Sequence, residues 1–276
     1  MSTSRASNLL DEIYLRLFVV KFITLSPKTW NAQNVRDAFW RFYVNDRDGA
    51  ILKLDHGDLA LRAGALYLVP EDVHFSCDNT GDVGHFYLHF DVLGVARPIL
   101  QQLFCAPLEI EKTSALAREA GAFRDDVKAR RESEIVVQCR AKALLFNCLA
   151  HIFARDDARN VAQYPRLSSH HEPILPALEW IESHLQEKIE NRMLARLCHW
   201  SADHFARRFR ECVGQSPGRY VLSRRIAVAS QQLLFTQKSI EEIARESGFA
   251  NRFHFSRAFT REKQCAPAAY RNTTQV

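Results

Sequence analysis

The sequence predicts an α+β protein in which an antiparallel β domain with flanking helices precedes an all-helical domain. Three observations predict this class. Short β-rich segments alternate with turn residues before about residue 93, helical periodicity begins near residue 97, and everything after residue 174 is helical in pattern. The 276 residues suffice for two domains, and 47% hydrophobic and 25% charged residues are typical of globular proteins. We expect domains over 1–155 and 174–276, joined by a linker over 156–173 that lacks apolar periodicity.

The β-rich segments lie between about residues 40 and 93. Their sequences are FWRFYV, AILKL, LALRAGALYLV and HFYLHFDV, and the turn-forming DRDG, DHGD, PEDV and DNTGDVG flank them. This spacing favours an antiparallel barrel or sandwich. Strand alternation places His85, Tyr87 and His89 on one face of the last segment, and Arg41 and Tyr43 on one face of the first. If these five residues line a cavity, histidines, an arginine and aromatic rings suit a sugar or a small carboxylate as ligand.

The strongest helical pattern of the first domain runs over about Glu132–Arg155. Apolar residues occur there at three- and four-residue spacing and extend beyond one stripe; they are Ile135, Val136, Cys139, Ala143, Leu144, Leu145, Phe146, Leu149, Ile152 and Phe153. One packing partner does not need this much apolar surface. We therefore predict that the helix covers the β domain with one face and contacts a second subunit with another, which makes the protein a homodimer.

Targeting and redox signals favour a soluble cytoplasmic protein without a membrane partner. No uninterrupted apolar run reaches the 18 residues of a membrane helix, because Arg16 and Lys21 interrupt the N-terminal candidate Tyr14–Leu25. Asp11 and Glu12 also argue against a signal peptide. The seven cysteines are an odd number without a C-x-x-C pair, so we expect reduced thiols rather than disulfides or a zinc site.

Net positive charge is confined to the last part of the chain. Residues 174–276 contain 16 Lys and Arg against 10 Asp and Glu, whereas residues 1–173 contain 21 against 22. Thirteen of the 16 cations are arginine, whose planar fork of donors matches phosphate and guanine edges. This distribution indicates a nucleic-acid partner.

The same region contains an internal repeat at an offset of 50 residues. Five residue types match: Phe205, Arg207, Phe209, Pro217 and Tyr220 with Phe255, Arg257, Phe259, Pro267 and Tyr270. A short amphipathic helix with a small alanine precedes each copy, over 193–199 and 239–247, and a tight turn with a capping Ser201 or Asn251 follows. This is the layout of a helix-turn-helix. The copies are joined by a predicted helix over 217–235, about 28 Å long, a span that allows two helices to enter successive major-groove segments of DNA.

These motifs resemble the C-terminal DNA-binding domain of AraC/XylS-type transcription regulators. The resemblance covers Met193–Arg271, with the signatures SADHFARRFRECVGQSPGRYVLSRRIAVASQQLL and SIEEIARESGFANRFHFSRAFTREKQCAPAAYR. It implies a double-stranded DNA partner and base contacts from Asp203, Ala206, Arg207, Asn251, Arg252, Phe253 and Arg257. Arg210 and Ser256 share the outward faces of the same helices. We expect Arg219, Arg224 and Arg225, on or beside the connecting helix, to contact the DNA backbone. Gln264 stands where the family usually has glycine, which Gly214 supplies in the first copy.

The first domain resembles, through AGALYLVPEDVHF, the cupin-like barrel with which such regulators sense an effector. The resemblance implies effector binding and dimerisation. The alternative is a cupin-type metalloenzyme with a DNA-binding tail, for which His74, His85 and His89 are the available ligands. The H-x-H spacing of such enzymes is missing, as is a phosphate-binding loop. We therefore predict an effector-responsive regulator that is not an enzyme and needs no cofactor or metal.

Overall fold

The computed structural model describes residues 13–155, 167 and 169–272, which divide into two compact units. Among these residues, the first unit contains 13–95 and 101–155, and the second contains 96–100, 167 and 169–272. The predicted linker over 156–173 falls largely outside the described residues. Its boundaries, and those of the two predicted domains, stay predictions.

The first unit is built from two antiparallel sheets. The strands are β1 (Tyr14–Leu25), β2 (Trp40–Asn45), β3 (Ala50–Leu54), β4 (Gly57–Ala60), β5 (Leu66–Val69), β6 (Phe75–Asn79), β7 (Val83–Leu93) and β8 (Leu108–Ile110). Five strands pair in the order β1-β7-β2-β5-β8, and three pair in the order β4-β3-β6. The predicted class, an antiparallel β domain followed by a helical domain, is confirmed. The cupin-like barrel is not closed, because no strand pairing among the described residues joins the two sheets into one.

Three strands were missed by the sequence analysis, and one predicted segment is divided. The strand β1 was considered only as a membrane candidate, although it pairs with β7 along its whole length apart from a bulge between Leu17 and Val19. The short strands β6 and β8 lie in segments assigned to turns and helices. The predicted strand over 59–69 separates into β4 and β5 because Gly64 adopts a left-handed conformation, with φ 73°, between them.

Two helices of the first unit, α2 (Ala115–Lys128) and α3 (Glu134–Arg155), pack against the five-stranded sheet. Helix α1 (Arg97–Leu103) precedes them in the chain. Ser114 caps α2 by accepting a hydrogen bond from the backbone N–H of Ala117. The ring of Phe123 packs edge-on against Phe86 of β7, with 5.3 Å between ring centroids. The apolar face of β7, formed by Phe86, Leu88 and Phe90, is completely buried.

Helix α3 also meets the length and composition criterion of a membrane-crossing helix. The segment Glu134–Ile152 has a mean hydropathy of 1.3, and a third of it is buried within the molecule. The sequence analysis considered only Tyr14–Leu25 as a membrane candidate and did not predict this segment. One helix of this kind is weak support for a membrane span, since packing helices of soluble domains meet the same criterion.

The second unit is helical throughout its described residues. After a short 3₁₀ turn at Glu172–Ile174, the helices are α4 (Leu175–Ser183), α5 (Asn191–Leu197), α6 (Ala202–Val213), α7 (Pro217–Phe235), α8 (Ile240–Glu246), α9 (Arg252–Lys263) and α10 (Pro267–Arg271). The bounds of α7 match the prediction. Helix α4 ends at Ser183, and the carbonyl groups of Leu185 and Glu187 beyond its end accept hydrogen bonds from Arg225 of α7.

Each helix-turn-helix has its own core, and α7 contributes to both. Tyr220 and Val221 of α7 pack with the first copy, and Ile226, Ala229 and Leu233 pack with the second. Phe205 and Phe209 of α6, like Phe255 and Phe259 of α9, are completely buried. These phenylalanines anchor the second helix of each motif in its core.

The two turns have the same backbone form but different residues. His199 and Gly248 are left-handed, with φ of 57° and 78°. The N–H that follows each of them donates to the alanine carbonyl of the preceding helix at 2.9 Å. Gly248 also needs its lack of a side chain, because a Cβ atom there would lie 2.1 Å from the Leu185 carbonyl oxygen.

Glu182 of α4 forms the main ion pair of the second unit. It accepts hydrogen bonds from Nε and Nη2 of Arg224 at 2.6 and 3.0 Å and from the Tyr220 hydroxyl at 3.2 Å. Burial alone would raise the pKa of Glu182, but the Arg224 and Arg97 guanidinium groups outweigh it and hold that pKa below its usual value. The pair fixes α4 against α7.

We predict that Glu182→Gln lowers the free energy of unfolding of the second unit by about 1–2 kcal/mol at pH 7, because it removes the carboxylate charge from the ion pair with the buried Arg224. The side chain of Glu182 is 35% exposed, so the loss is smaller than for a fully buried pair. A carboxylate with a lowered pKa stabilises the fold above the usual glutamate pKa and loses that effect as the pH falls. The difference between variant and wild type should therefore shrink below about pH 4.

Urea unfolding of the full chain followed by circular dichroism measures this effect. The matched control is Glu190→Gln, which removes a solvent-exposed partner of Lys188 and should change stability far less than Glu182→Gln. Equal effects of the two substitutions at pH 7 would contradict the structural role of Glu182.

Candidate nucleic-acid interface

Two capped helices, α6 and α9, stand in equivalent positions of the repeat. The Ser201 hydroxyl accepts from the N–H of His204 at 3.4 Å, and Oδ1 of Asn251 accepts from the N–H of His254 at 2.8 Å. These caps fix the start of each helix. Since the paired phenylalanines face the cores, the opposite face of each helix is turned to solvent.

The outward face of α6 carries the residues predicted for the first copy. Asp203, Arg207 and Arg210 are exposed, and Ala206 is half-buried. A shallow groove of about 420 Å³ is lined by Ala206, Arg207, Arg210 and Glu211. The guanidinium group of Arg207 lies 3.2 Å from Nδ1 of His204, one turn earlier in the helix.

The outward face of α9 differs in chemistry. Asn251, Arg252, Phe253 and Arg257 are exposed, and Ser256 is half-buried. The guanidinium carbon of Arg252 lies 5.0 Å from the ring centroid of Phe253, a cation–π contact. The helix ends at Gln264, which is left-handed with φ 57°, as the sequence analysis anticipated for a cap without glycine.

Four arginines on the outward faces of these two helices are available to a ligand, whereas Arg208 pairs with Glu211 and Arg261 with Glu262. Within the part of the chain that the structure describes, no carboxylate lies within ion-pair distance of Arg207, Arg210, Arg252 or Arg257. A surface that presents cations without partners attracts a polyanion such as DNA.

The arginines of α7, in contrast, are used inside the second unit. Arg224 is 6% exposed and bound to Glu182, so its prediction as a DNA backbone contact is wrong. Arg225 donates from Nε to the Leu185 carbonyl at 2.9 Å and from Nη2 to Glu187, which corrects its predicted role in the same way. Arg219 forms a two-point ion pair with Glu262 but stays half exposed. Helical periodicity does not distinguish an inward arginine with a partner from an outward one.

The five residues predicted for an effector site come together in the first unit. Opposite each other on β2 and β7 lie Arg41 with His89 and Tyr43 with Tyr87. All five, including His85, are at most 2% exposed. Tyr43 and Tyr87 belong to the core between the two sheets, so these side chains are neither on an exposed sheet face nor packed against α3.

Hydrogen bonds determine the chemistry of this buried cluster. Nδ1 of His85 lies 2.7 Å from Oδ1 of Asn45, whose Nδ2 donates to the Leu61 carbonyl. That arrangement makes Nδ1 the donor and leaves Nε2 of His85 as an acceptor. Burial lowers the pKa of His85 to about 3, so the ring is neutral at physiological pH. Nε2 of His85 and the hydroxyl of Tyr43 have no hydrogen-bond partner among the described residues.

Charge in the cluster is balanced. Arg41 is paired with Asp37, which precedes β2, and the guanidinium group stacks over Phe39 at 4.3 Å. Burial, together with the nearby Arg41, also holds the pKa of His89 far below its usual value. The sequence analysis did not identify Asp37 or Asn45 as site residues. Strand alternation puts Asn45 on the same face of β2 as Tyr43, so the sequence could have assigned Asn45 to the cluster. It could not have assigned Asp37, because Asp37 lies outside a strand.

A metal centre finds no support in the described residues. No group of three or more His, Cys, Asp and Glu side chains there has an arrangement that holds a metal ion. His74 is half exposed and bonded to Asp55, whereas His85 and His89 are buried. The seven cysteines are all free thiols.

Comparison with known proteins relates the second unit to transcription regulators. A helix-turn-helix domain model matches residues 194–273. The regulatory protein SoxS of Salmonella typhimurium is 32% identical over 104 residues, which are 38% of this chain and 97% of SoxS. The HTH-type transcriptional regulator YbfP of Bacillus subtilis is 38% identical over 94 residues, which are 34% of this chain but only 32% of YbfP.

One solved structure is similar over both units. A crystal structure of an apo ToxT variant from Vibrio cholerae covers 95% of this chain and 97% of its own, with a TM-score of 0.52 and 14% identity. At that identity the likeness shows the fold alone, an antiparallel β domain followed by a helical domain. The match with SoxS spans nearly all of that protein at 32% identity, and on these grounds the chain belongs to the AraC/XylS family of DNA-binding transcription regulators.

Proposed function

We propose that this protein is a cytoplasmic, homodimeric regulator, without enzymatic activity, that recognises a specific DNA sequence through α6 and α9 and responds to a small-molecule effector. The observation that carries the DNA part is the division of the arginines. Arg207, Arg210, Arg252 and Arg257 on the two helices are exposed without carboxylate partners among the described residues. Arg224 and Arg225 of α7 instead hold the second unit together. The family's DNA-binding function and the basic charge of residues 174–276 support the same role.

The base contacts follow from the repeat. Arg207 and Arg257 occupy matching positions one turn into each helix, where an arginine can donate to O6 and N7 of guanine. The outward faces beside Arg207 and Arg257 carry the other predicted residues, which are Asp203, Ala206, Asn251, Phe253 and Ser256. Arg210 and Arg252 flank these faces and suit phosphate contacts, and the half-exposed Arg219 keeps that role as a proposal.

We predict that Arg257→Ala weakens binding to the preferred sequence about 5- to 150-fold, which corresponds to about 1–3 kcal/mol, and weakens binding to random DNA far less. The preferred sequence is first selected from a random DNA pool with the wild-type protein, and affinities are measured by fluorescence anisotropy. The control Arg245→Ala removes an exposed arginine of α8 and should affect both DNAs equally. An equal loss of affinity on both DNAs for Arg257→Ala would identify a phosphate contact and contradict the assignment of Arg257 as a base contact.

The effector part depends on the buried cluster of Arg41, Tyr43, His85, Tyr87 and His89. An unpaired acceptor at His85 and an unpaired hydroxyl at Tyr43 suit a ligand that both donates and accepts hydrogen bonds. Because Asp37 balances the charge of Arg41, a neutral hydroxylated molecule such as a sugar fits better than a small carboxylate. Buried polar atoms without partners are costly, which favours a bound ligand or water at this position.

A matched pair of tyrosine substitutions tests this site. The Tyr43 hydroxyl has no partner among the described residues, whereas the Tyr67 hydroxyl accepts from the Arg62 N–H at 2.9 Å and donates to the Ala60 carbonyl at 3.2 Å. Without ligand, Tyr43→Phe should leave the melting temperature unchanged or raise it, and Tyr67→Phe should lower stability by about 1 kcal/mol.

A thermal-shift screen with sugars, sugar acids and aromatic carboxylates then identifies the ligand class. A ligand at a hundred times its dissociation constant adds about 2.7 kcal/mol of stability to the wild type. That gain should persist in Tyr67→Phe and be lost in Tyr43→Phe. A ligand that stabilises both variants equally would exclude Tyr43 from the site.

The dimer part depends on the outward face of α3. Ile135, Val136 and Phe146 are 71%, 41% and 43% exposed. Together with the exposed Cys139, Ala143 and Ala150, they occupy an arc of about 100° on the helix. This apolar stripe, flanked by the polar Lys142 and Asn147, fits the matching stripe of a second copy, because a two-fold interface is self-complementary.

We predict that the wild type sediments as a dimer at micromolar concentration and that Phe146→Asp converts it to a monomer, because an aspartate cannot be buried unpaired in an apolar interface. The control Ala115→Asp places the same charge at the exposed start of α2, where acids are tolerated, and should remain dimeric. Sedimentation velocity with and without DNA measures both. A monomeric wild type in either condition would count against the dimer.

A further inference from the structure

Phe253 is an apolar side chain on an otherwise polar face. It is 66% exposed in the first turn of α9, and it is the one exposed large hydrophobic residue among the described residues of the second unit. The neighbouring Phe255 and Phe259 are completely buried. Phe253 therefore plays no part in the core, and its exposed ring favours contact with an apolar group of a binding partner.

The surroundings of Phe253 restrict what that partner can be. Arg252 stacks its guanidinium group on the ring, and Arg257 follows one turn later on the same side of the helix. The one acidic residue of α9, Glu262, lies at the opposite end and is bound to Arg219. An apolar ring framed by unpaired cations complements DNA, because DNA combines a polyanionic backbone with exposed apolar groups in its major groove.

The first turn of a recognition helix is the part that contacts base edges in the major groove. The apolar group displayed there is the C5-methyl of thymine, and a phenyl ring is a suitable contact for it. We propose that Phe253 recognises thymine by packing its ring against the C5-methyl group. This inference rests on the proposed function of α9 in DNA recognition and adds the chemical group that the helix selects.

The repeat confines this preference to one half of the DNA site. At the offset of 50 residues, the position of Phe253 is occupied in α6 by Asp203, which is exposed and acidic. A carboxylate makes no favourable contact with a methyl group but accepts hydrogen bonds from amino groups of bases. The two helix-turn-helix copies thus select different bases although their frames are equivalent.

Deoxyuridine substitution tests the inference directly, because deoxyuridine lacks the methyl group but keeps every hydrogen-bonding group of thymine. The full chain is measured on its selected DNA sequence, with each thymine replaced in turn. At one thymine, or at two adjacent ones, we expect deoxyuridine to weaken wild-type binding about fourfold, the value of one buried methyl group. Phe253→Ala should bind the thymine DNA no more tightly than the wild type binds the deoxyuridine DNA. Deoxyuridine at that position should then cause no further loss of affinity in this variant.

Two further variants separate this inference from the proposed function. Phe253→Leu keeps an apolar contact and should retain part of the sensitivity to the methyl group. Arg257→Ala should weaken binding but keep that sensitivity, because it removes a different contact. If Arg257→Ala has no effect on specificity while the methyl sensitivity through Phe253 remains, the arginine assignment fails and the inference stands.

Three outcomes would overturn the inference. If the wild type binds every deoxyuridine-substituted DNA with the same affinity as the thymine DNA, it recognises no methyl group. A Phe253→Ala variant that loses affinity but stays sensitive to the methyl group places the thymine contact elsewhere. A Phe253→Ala variant with unchanged DNA binding assigns the exposed ring to a protein partner. Thermal unfolding, which should be unchanged in both Phe253 variants, confirms that each is folded.

Discussion

Helix α7 is shared by the cores of both helix-turn-helix motifs, and the arrangement of the second unit depends on this sharing. Its first half packs with α5 and α6, and its second half packs with α8 and α9. A helix of 19 residues is a stiff rod of about 28 Å, so the two motifs cannot move independently while both cores are intact. Ten of its residues are buried, Arg224 among them. Accordingly, Arg224 binds Glu182 and Arg225 binds the segment after α4.

The two copies of the motif keep one backbone form with different residues, and local crowding explains which residue each copy tolerates. At Gly248 the Leu185 carbonyl leaves no room for a Cβ atom, so glycine is required in the second turn. At Gly214 nothing lies within 4 Å of a Cβ position, so the cap demands only a left-handed backbone. Gln264 meets that demand in the second copy with φ 57°, at a cost of about 1 kcal/mol. The family's glycine is therefore dispensable at the cap.

The first unit contains polar groups in a place where apolar residues would be more stable. Between its two sheets lie two histidines held neutral by burial and an arginine balanced by Asp37. A hydroxyl and a ring nitrogen of this cluster lack partners among the described residues. Buried polar groups of this kind are a common sign of a functional position, since packing alone gives no reason for them.

Local sequence patterns determined the helix-turn-helix repeat, the bounds of α7, the buried phenylalanine pairs and the strand faces of β2 and β7, because each depends on residues a few positions apart. Tertiary structure alone decided which polar side chains meet. Arg224 and Glu182 are 42 residues apart, and His85 and Asn45 are 40 apart. The same holds for the division into two sheets instead of a closed barrel and for the strands β1, β6 and β8. Pairing between distant segments depends on packing of the whole unit, and side-chain periodicity within one segment carries no information about it.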